Sequence, residues 1–485
     1  LSKRGFKFKA PFFNLKIYKG KIMSKIDVTS PFDGKVVGSV HFNTYEEVEA
    51  AIDLAHKTFL DKDNWIPKYK RIEILENVMK IMSSQVEELT ILCASEGGKP
   101  YIDSKVEIQR AINGIKIAIE QIGLQEGHEI AMGHTASSAN RIAYTMKEPI
   151  GVVAAISAFN HPFNLAVHQV IPAIAVGCPV IIRPATQTPM SAIKLVEILK
   201  EAGLPNGWAQ AVVCDRNAGE LLVTSPKTAF FTFIGSGPVG WYLNSKSSPG
   251  TRSALEHGGV APVIVEPDAD IEAMIPDLVK GGFYHAGQVC VSVQRIFVHE
   301  SIANTVASKI AEKASKLVVG NQLDPKTEVG PLINHNEVNR VEEWVNEAVT
   351  KGGKILTGGK RISDSCFEPT VIVNPSDDAI ISQKEIFGPV VCVYSYKTLD
   401  EAIERANQLD VSFQAAVFTK NIDTALKSIK RLNATAVMVN DHTAFRVDWM
   451  PFGGAKTSGL GLGGIPDSMR EMQNQKMMVI KSPVL

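Results

Sequence analysis

The stretch that decides the fold class is residues 150–156, Ile-Gly-Val-Val-Ala-Ala-Ile, an apolar run of β-type residues. Such a run is typical of a strand buried on both faces of a sheet. Three further short apolar runs follow it along the chain: 179–183, 210–214 and 230–233. Helical patterns separate these runs at 189–202 and 217–225, and strand and helix alternating at this interval predict a parallel sheet with crossover helices. We therefore predict an α/β fold of the doubly wound, nucleotide-binding type.

A second α/β series runs from Val263 to about Asn440. Its predicted elements are 270–284, 295–298, 301–318, 335–351 and 400–407. Two other runs, 140–146 and 476–480, have the character of strands but lie outside both series. They predict a third element that is discontinuous in the chain.

The region ahead of the first sheet has a helical pattern from residue 45 to about residue 125. Thr44 is predicted to cap the first of these helices. Apolar residues at three- and four-residue spacing predict further helical structure over 70–95 and 103–123.

Composition and charge exclude several classes of protein. The length of 485 residues suggests roughly two to four domains. The chain is 45% hydrophobic and 21% charged, which is ordinary for a globular protein. The formal net charge is zero, which argues against nucleic acid or a membrane surface as an electrostatic partner. No apolar run reaches the ~18 residues of a membrane-spanning helix.

The cysteine pattern predicts no metal site. The chain has six cysteines without a Cys-x-x-Cys pair, at positions 93, 178, 214, 290, 366 and 392. This spacing predicts neither zinc binding nor a disulfide framework, so we expect a reducing, cytoplasmic location. Five of the cysteines are interpreted as small buried hydrophobic side chains. Cys290 is the exception because its surroundings are rich in glycine.

The segment ahead of Met23 is strongly basic. The first 26 residues contain eight Lys or Arg and no Asp or Glu, and they lack the ~7–15-residue apolar stretch of a secretory signal. We expect Met23 to be the natural start and the basic residues to be an added extension. A transit peptide or a nucleic-acid-binding arm is the alternative.

One thiol and one carboxylate stand in separate glycine-containing segments. Cys290 ends the segment Gly-Gly-Phe-Tyr-His-Ala-Gly-Gln-Val-Cys, and Glu256 lies upstream in Leu-Glu-His-Gly-Gly. A thiolate attacks carbonyl carbon, and a carboxylate can activate the water that hydrolyses the resulting thioester. The pair is therefore interpreted as a nucleophile and a general base.

These two segments resemble the aldehyde dehydrogenase superfamily, whose nucleophile motif reads Gly-Gln-Val/Ile-Cys and whose base lies in Leu-Glu-Leu-Gly-Gly. The resemblance implies two doubly wound Rossmann-type domains and a β-flap for oligomerisation into a homodimer or homotetramer. The expected division is a dinucleotide-binding domain, a catalytic domain and an oligomerisation segment: 1–126 with 150–257, then 258–456, then 127–149 with 457–485.

The first predicted cofactor contact is Phe233-Ile-Gly-Ser-Gly-Pro-Val-Gly240, which follows a strand and opens a helix. Backbone amides at a helix N-terminus attract a pyrophosphate, although a tight strand-to-helix turn alone is the alternative. The segment is similar to the family's Phe-Thr-Gly-Ser-x-x-x-Gly, with Ile234 in place of Thr. The resemblance implies that Phe233, Gly235, Ser236 and Gly240 contact the dinucleotide, with Ser236 against the phosphates.

The second predicted cofactor contact is Ile182-Arg-Pro-Ala-Thr-Gln-Thr-Pro189, which resembles the family's Lys-Pro-Ser/Ala-Glu segment at the adenosine ribose. Here Arg183 replaces Lys and Thr186 replaces Glu. Without the carboxylate, repulsion of a 2′-phosphate disappears and a cation and a donor are available. NADP is therefore expected beside NAD. The alternative is that Arg183 is solvated and still serves the ribose.

Other cofactor residues come from the resemblance alone. Lys384-Glu-Ile-Phe-Gly-Pro-Val390 is similar to the family's Glu-Glu-Ile-Phe-Gly-Pro, which implies that Glu385 binds the nicotinamide ribose and Phe387 packs near the ring. The remaining residues assigned to the cofactor are Ile156, Phe159 and Gly258.

The predicted oxyanion donor is Asn160, in Ala158-Phe-Asn-His-Pro162, which resembles the family's Pro-Trp-Asn-Phe/Tyr-Pro. An amide donor of this kind is worth roughly 3 kcal/mol in the transition state. The backbone amide of Cys290 is the expected second donor. On the residues alone, Asn160 is equally well interpreted as a turn residue.

Substrate contacts are predicted from the tail segment 439–454, which matches the family's Pro-Phe-Gly-Gly region. Its Trp449 and Phe452, with Phe159, are expected to line an aromatic tunnel. The residues expected to bind polar substrate groups are Arg110, His161 and Arg446. Surface charge for Arg110 and a domain-interface ion pair for Arg446 are the alternatives.

The cluster resembles branches that act on lactaldehyde, glyceraldehyde-type or phosphonylated aldehydes. Those handling strongly anionic substrates often carry Arg just before the nucleophile, where this chain has Val289. We therefore predict an NAD(P)-dependent aldehyde dehydrogenase that acts on a small hydroxy- or acidic aldehyde and releases the free acid. Transfer of the acyl group to coenzyme A, which Glu256 disfavours, and a non-catalytic dinucleotide-binding homologue are the alternatives.

Overall fold

The computed structural model describes residues 25–485. The basic segment ahead of Met23, and the predictions made for it, lie outside the described residues. Within residues 25–485, no helix has the length and apolar character needed to cross a membrane.

The described chain folds into strands and helices that alternate over most of its length. The strands are β1 Lys25–Thr29, β2 Val36–His41, β3 Glu129–Ile130, β4 Arg141–Pro149, β5 Val152–Ile156, β6 Val180–Arg183, β7 Ala209–Ala211, β8 Thr228–Ile234, β9 Arg252–Glu256, β10 Pro262–Val265, β11 Arg295–His299, β12 Lys354–Thr357, β13 Thr370–Val373, β14 Val390–Tyr396, β15 Val411–Ser412, β16 Gln414–Phe418, β17 Ala436–Val439, β18 Ala455–Lys456, β19 Gly459–Leu460 and β20 Gln473–Lys481. The helices are α1 Tyr45–Leu60, α2 Lys68–Ser84, α3 Val86–Gly97, α4 Tyr101–Gly123, α5 Pro162–Val176, α6 Met190–Glu201, α7 Arg216–Thr224, α8 Gly237–Asn244, α9 Ile271–Phe283, α10 Ala303–Ala314, α11 His335–Thr350, α12 Ile380–Gln383, α13 Leu399–Asn407, α14 Ile422–Arg431 and α15 Ile465–Glu471.

The first sheet has the order β19-β9-β8-β5-β6-β7, and its five strands from β9 to β7 are parallel. Every residue of β5, from the run at 150–156, is buried. The doubly wound prediction is confirmed. Because the strand order reverses at β5 and β8, their carboxyl ends form a switch point, where open α/β sheets bind ligands.

One strand of this sheet is shorter than predicted. The run at 210–214 was expected to be a strand, but β7 ends at Ala211. The chain turns away at Val213, whose amide donates to Asn43 Oδ1 at 2.8 Å and whose carbonyl accepts from the Asn43 amide at 2.6 Å. Those bonds replace the sheet ladder.

The second sheet has the order β12-β13-β14-β11-β10-β16-β17 and is parallel except for the edge strand β12. It encloses the largest apolar core of the described chain, formed with α9, α10 and α11. The second α/β series predicted from the sequence is therefore present. Five residues separate β9 from β10, so the base segment of the first sheet passes directly into the second.

The discontinuous third element is a small antiparallel sheet in the order β20-β4-β3. Pairing of β4 with β20 runs without a break from Arg141 opposite Lys481 to Pro149 opposite Gln473. The strands predicted over 140–146 and 476–480 are therefore neighbours in space.

The segment between the second sheet and this flap folds back onto the first sheet. β19 pairs with β9, and Ile465 and Met469 of α15 join the core that α4 and α5 form. Within the segment 457–485, which is predicted to serve oligomerisation, the strand of the flap begins at Gln473. The boundary at 457 stays a prediction.

The N-terminal helices pack on the first sheet and support its turns. Thr44 caps α1 as predicted, because its side chain accepts from the Glu47 amide while the Glu47 carboxylate accepts from the Thr44 amide. The helix expected over 70–95 is two helices. Gln85 leaves the helical backbone, with φ −114° and ψ 20°, and separates α2 from α3.

Candidate active site

The predicted nucleophile, Cys290, lies on the loop between α9 and β11 and is half-buried. The backbone ahead of it is unusual, because His285, Ala286 and Gly287 have φ of 49°, 55° and 70°. Consecutive left-handed residues are disfavoured unless their surroundings hold them, and such residues cluster at functional sites. This turn redirects the chain immediately before Cys290.

Gln288 holds the loop in place from a fully buried position. Its Nε2 donates to the carbonyls of His285 and Pro331, both at 3.3 Å, and its Oε1 accepts from the Ile333 amide at 2.9 Å. Asn160 is 5% exposed, and its Nδ2 donates to the Gln288 carbonyl at 2.9 Å. The predicted oxyanion donor therefore lies against the nucleophile loop, and its amide carries a second N–H.

The electrostatic environment of Cys290 connects it to the other predicted site residues. Burial, and then the charges of Glu385 and Glu256, raise the pKa of the Cys290 thiol to about 12, while Arg446 acts in the opposite direction. A thiol in this environment needs an additional positive charge before it ionises near neutral pH. The two carboxylates and the guanidinium are the charged groups that act on the thiol.

The predicted base, Glu256, ends β9 next to the nucleophile segment. The Gly259 amide, three residues on, donates to the Cys290 carbonyl at 3.2 Å. A Cβ placed on Gly463 would lie 2.0 Å from Glu256 Oε1, so the carboxylate packs directly against this glycine. Burial raises the pKa of Glu256, and Arg446 opposes that shift. A raised pKa makes the carboxylate a stronger base at neutral pH.

The Glu385 carboxylate lies over the turn that follows Glu256. A Cβ on Gly258 would lie 1.8 Å from Glu385 Oε2, so the side chain covers that glycine closely. Burial raises the pKa of Glu385 to about 8, while Arg340 and the Gly259 amide lower it. Its Oε1 is buried without a hydrogen-bond partner among the described residues. An orphaned acceptor in this position fits a ribose hydroxyl, the contact predicted for Glu385.

Phe387 and Phe159 form an edge-to-face pair whose ring centroids are 5.8 Å apart at 84°. Phe387 has a φ of 44°, a backbone conformation that a bulky side chain rarely adopts. Ile156, also predicted to contact the cofactor, is 6% exposed at the end of β5. The structure therefore brings these apolar residues to the carboxyl end of β5.

The predicted phosphate turn follows β8, with Ser236 exposed at the N-terminus of α8. The Gly235 amide donates to the Glu256 carbonyl at 3.0 Å, and the Phe233 ring lies against Gly235. A Cβ on Gly240 would lie 2.0 Å from His257 Cε1. The turn therefore presents an open helix N-terminus, which suits a phosphate.

The predicted ribose turn follows β6 and is more open. Thr186 is exposed. Arg183 is half-buried, donates to the Cys214 carbonyl at 3.0 Å and packs against Gly219. The Arg183 Nε has no partner among the described residues. This guanidinium therefore retains a donor, and a role in reading a 2′-phosphate stays a prediction.

Among the predicted substrate residues, Arg446 interacts electrostatically with both the predicted nucleophile and the predicted base. Its guanidinium stacks on the Phe452 ring, with the central carbon 3.6 Å from the centroid, and one terminal nitrogen lies 3.3 Å from His168 Nδ1. Its Nε is buried without a partner among the described residues. Arg446 acts electrostatically on both Glu256 and Cys290. A cation with an unused donor therefore faces the predicted nucleophile and base.

Arg110, in contrast, is already paired. Its Nε and Nη2 donate to the Asp448 carboxylate at 3.2 Å and 2.7 Å. The same carboxylate bonds to His168 Nε2 at 2.8 Å and Asn164 Nδ2 at 3.3 Å. Burial raises the pKa of Asp448, but His168 and Arg110 outweigh that effect and hold the pKa well below its usual range. The charge of Arg110 is therefore balanced within the protein, unlike that of Arg446.

The two remaining predicted substrate residues lie in different surroundings. His161 Nε2 is 2.9 Å from the Tyr284 hydroxyl, and burial, then Lys99, hold the pKa of His161 well below its usual value. His161 is therefore a neutral hydrogen-bonding group. Trp449 is 56% exposed, so the single chain does not enclose it in a tunnel.

Three buried charged residues beside the site were not predicted from the sequence: Glu96, Lys99 and Glu107. Glu96 and Lys99 have no exposed surface, and Glu107 is 2% exposed. The sequence does contain one signal for them. In Glu-Gly-Gly-Lys-Pro at 96–100, two glycines interrupt a helical pattern, and two opposite charges flank the glycines. Within residues 25–485, no cluster of His, Cys, Asp or Glu is arranged to hold a metal ion.

The fold and this site define a class of enzyme. The model of the aldehyde dehydrogenase family matches residues 18–478. The chain belongs to the aldehyde dehydrogenase family, and it is an NAD(P)-dependent aldehyde dehydrogenase. The prediction of family, fold class and coenzyme is thereby confirmed.

The relatives place the chain among particular branches. It is 38% identical over 458 residues to a 3-sulfolactaldehyde dehydrogenase of Priestia aryabhattai, covering 94% of this chain and 95% of the relative. It is 37% identical over 460 residues to a lactaldehyde dehydrogenase of Methanocaldococcus jannaschii, covering 94% and 97%.

Two solved structures give the same picture. Aldehyde dehydrogenase 21 from Physcomitrella patens, in complex with the reaction product succinate, superposes with a TM-score of 0.91 at 35% identity, covering 94% of this chain and 95% of that one. Glyceraldehyde-3-phosphate dehydrogenase GapN from Methanocaldococcus jannaschii, complexed with NADP, gives 0.90 at 36% identity, covering 94% and 99%.

Proposed function

We propose that this enzyme oxidises a small aldehyde carrying a hydroxyl or an anionic group to the free carboxylic acid. One observation carries the proposal: Arg446 is a half-buried cation whose buried Nε–H has no partner among the described residues, and it acts on both Cys290 and Glu256. An unpaired buried donor costs about 1–3 kcal/mol, so the site gains from a substrate that supplies an oxygen. The names of the relatives, 3-sulfolactaldehyde and lactaldehyde dehydrogenase, support this class of substrate.

The chemistry is assigned to three residues. The Cys290 thiolate attacks the aldehyde carbon and forms a thiohemiacetal, whose oxyanion accepts hydrogen bonds from Asn160 Nδ2 and the Cys290 amide. Loss of hydride leaves a thioester on Cys290, and the bound dinucleotide supplies the hydride acceptor. Glu256 takes a proton from water, the water attacks the thioester, and the acid leaves as the thiol is restored.

The dinucleotide is assigned to the switch-point edge of the first sheet. Ser236 and the amides at the start of α8 are placed at its phosphates, and Glu385 at a ribose. The orphaned Oε1 of Glu385 supports that contact. A cationic nicotinamide near Cys290 would favour the thiolate and offset the raised pKa of the thiol.

Arg446, with His161 and Phe452, is placed at the substrate, and Arg110 is assigned to orienting Arg446 through Asp448 and His168. Val289, where strongly anion-selective branches often carry Arg, leaves the anion clamp incomplete. We therefore expect moderate selectivity for aldehydes that carry a hydroxyl or an anionic group.

Hydrolysis is favoured over acyl transfer to coenzyme A because Glu256 lies beside the nucleophile segment. A cytoplasmic homodimer or homotetramer, with the flap at the subunit interface, completes the proposal.

The test is an aldehyde panel read by formation of NADH or NADPH. Lactaldehyde and succinic semialdehyde should exceed propanal in kcat/KM, and Arg446→Ala should narrow that difference by about tenfold, the value of one charge-assisted hydrogen bond. Arg446→Lys, which keeps the charge, is the matched control. A wild type that prefers propanal contradicts the substrate class, and an equal loss on all three aldehydes makes Arg446 structural.

A second experiment tests hydrolysis. Glu256→Gln keeps the shape of the side chain but removes the base. We expect a burst of about one NADH per active site, followed by slow turnover that coenzyme A does not accelerate. Equal losses in burst rate and steady-state rate would assign Glu256 another role.

A further inference from the structure

Glu107 and Lys99 form an ion pair with no exposed surface, close to the catalytic turn. Lys99 Nζ donates to Glu107 Oε2. Burying two charges is costly, and replacing such a pair by apolar side chains of similar volume is often neutral for stability. A buried pair at this position therefore calls for a reason other than stability.

The other oxygen of Glu107 indicates that reason. Glu107 Oε1 accepts from the backbone amides of Phe163 and Asn164, both at 2.9 Å. These amides belong to the first turn of α5, where no carbonyl of the helix itself can pair with them. The carboxylate therefore supplies from a distant segment the cap that His161, which makes no side-chain capping bond, does not provide.

The capped turn begins two residues after Asn160. Because Pro162 fixes the backbone between them, a shift of the first turn of α5 moves Asn160 as well. The segment beside Lys99 also touches this turn: a Cβ on Gly97 would lie 3.8 Å from the Phe159 carbonyl oxygen. Asn160 is thus held from behind by the Glu107 and Gly97 segments and faces the Gln288 carbonyl on the other side.

We propose that Glu107, with its charge balanced by Lys99, is a positioning residue for the oxidation step: it fixes Asn160 by holding the first amides of α5. The inference rests on the proposed role of Asn160 as oxyanion donor. Lys99 neutralises the carboxylate so that it remains in this dry site, and Glu107 does not itself touch the substrate.

Two neutral variants separate the bonds to α5 from the ion pair. Lys99→Met with Glu107→Gln removes both charges but keeps a carbonyl oxygen that can accept from the two amides. Lys99→Met with Glu107→Met removes the charges and the acceptor. We expect the second variant to lose ~10²-fold in the single-turnover rate of NADH formation, as for a displacement of about 1 Å, and the first to lose far less. Coenzyme affinity, measured by fluorescence titration, should be unchanged in both.

Each variant is then combined with Asn160→Ala. If Glu107 acts through Asn160, the Met–Met pair should cost little more once that donor is absent, whereas a general loss of packing would cost the same in both backgrounds. Equal rates for the two neutral variants, or an undiminished loss in the Asn160→Ala background, would overturn the proposal. An Asn160→Ala enzyme with the parent rate would instead overturn the assignment of the oxyanion donor.

Glu107→Asp keeps the inference testable if the Met–Met variant does not fold. It retains the charge and the ion pair but withdraws the carboxylate by one methylene. A reduced single-turnover rate, with unchanged coenzyme affinity, supports the proposal. A parental rate, with thermal unfolding shifted or not, contradicts it.

Discussion

Two turns of the first sheet are built alike and differ in how they are charged. The turn after β5 leads into α5, and the turn after β6 leads into α6. Glu107 accepts from two amides of α5, and Glu96 accepts from the amides of Met190 and Ser191 at the start of α6, at 2.7 Å and 2.8 Å. Each turn is therefore fixed from behind by a buried carboxylate that reaches a helix N-terminus.

The difference is the counter-ion. Glu107 is paired with Lys99, whereas the hydrogen bonds and ion pairs described for Glu96 include no cation. Burial raises the pKa of Glu96 to about 7, and the charge of Glu107 contributes to that shift. The first turn carries the buried Asn160, and the second carries the exposed Thr186. We infer that the neutralised turn serves chemistry, which needs fixed geometry, and the titratable turn serves an exchangeable coenzyme.

The largest effect is expected when the predicted nucleophile, which faces the first turn, is replaced. Cys290→Ala should abolish aldehyde oxidation, because no acyl carrier remains, while NAD(P) binding at the second turn survives. Stopped assays with product quantification, beside a coenzyme titration, measure both. Turnover above background would refute the nucleophile assignment, and lost coenzyme binding would show that the two turns are not separable. Cys214→Ala, a buried thiol at the β6–β7 end, is the matched control.

The next effect tests the first turn itself. Asn160→Ala should lower kcat by about 10²–10³-fold, the usual cost of one oxyanion donor, with little change in the KM for coenzyme. Asn160→Asp, which has a similar shape but carries no N–H donor, should lose at least as much. A change confined to coenzyme KM would reverse the roles assigned to the two turns.

A smaller effect is expected at the second turn. Thr186→Glu places a carboxylate where Thr186 is now exposed, and it should repel a 2′-phosphate. We expect the ratio of kcat/KM for NAD to that for NADP to rise about tenfold, since the added repulsion is worth about 1.4 kcal/mol. Thr186→Gln, equal in length and uncharged, is the control. An unchanged ratio would mean that the Arg183–Thr186 segment does not read the 2′ position.

The longer strands could be predicted from the sequence because the pattern of residue types that indicates a strand is local. The buried run of β5 and the nine paired positions of β4 and β20 are long enough for their residue types to decide. It failed at 459–471, where β19 has two residues and α15 has seven, because elements that short leave no periodicity to detect.

The pairing of charges in the site could not be predicted from the sequence, for a different reason. Arg110 was predicted to bind substrate, yet Asp448 pairs with it from 338 residues away, and only the fold brings them together. Lys99 and Glu107 are eight residues apart, but their spacing does not show that both are fully buried. Residue type and order therefore predict a nucleophile, a base and an oxyanion donor, but they do not distinguish Arg110, which is paired with a carboxylate, from Arg446, whose Nε has no partner among the described residues.

The smallest effect concerns the pH dependence of the second turn. The pKa of Glu96 is raised from 4.5 to about 7 by burial. A carboxyl with a raised folded-state pKa binds its proton more tightly in the folded protein, so its contribution to stability is present below pH 4.5 and is lost as pH rises through about 7. The hydrogen bonds follow the opposite order, because only the ionised carboxylate accepts fully from both Met190 and Ser191.

Acidification through pH 7 should therefore weaken the support of the second turn while it stabilises the fold. We expect the Kd for coenzyme to rise by about fivefold as this cap is lost, since one hydrogen bond contributes about 1 kcal/mol. Glu96→Gln, which cannot ionise, should flatten both the change in Kd and the fall in Tm with rising pH. The pKa of Glu385 is raised to about 8, in a neighbouring range, and Glu385 is proposed to contact the coenzyme, so Glu385→Gln is measured in parallel. A pH profile that persists in Glu96→Gln and disappears in Glu385→Gln would assign the titration to the ribose contact, and the difference between the two turns would then be one of exposure alone.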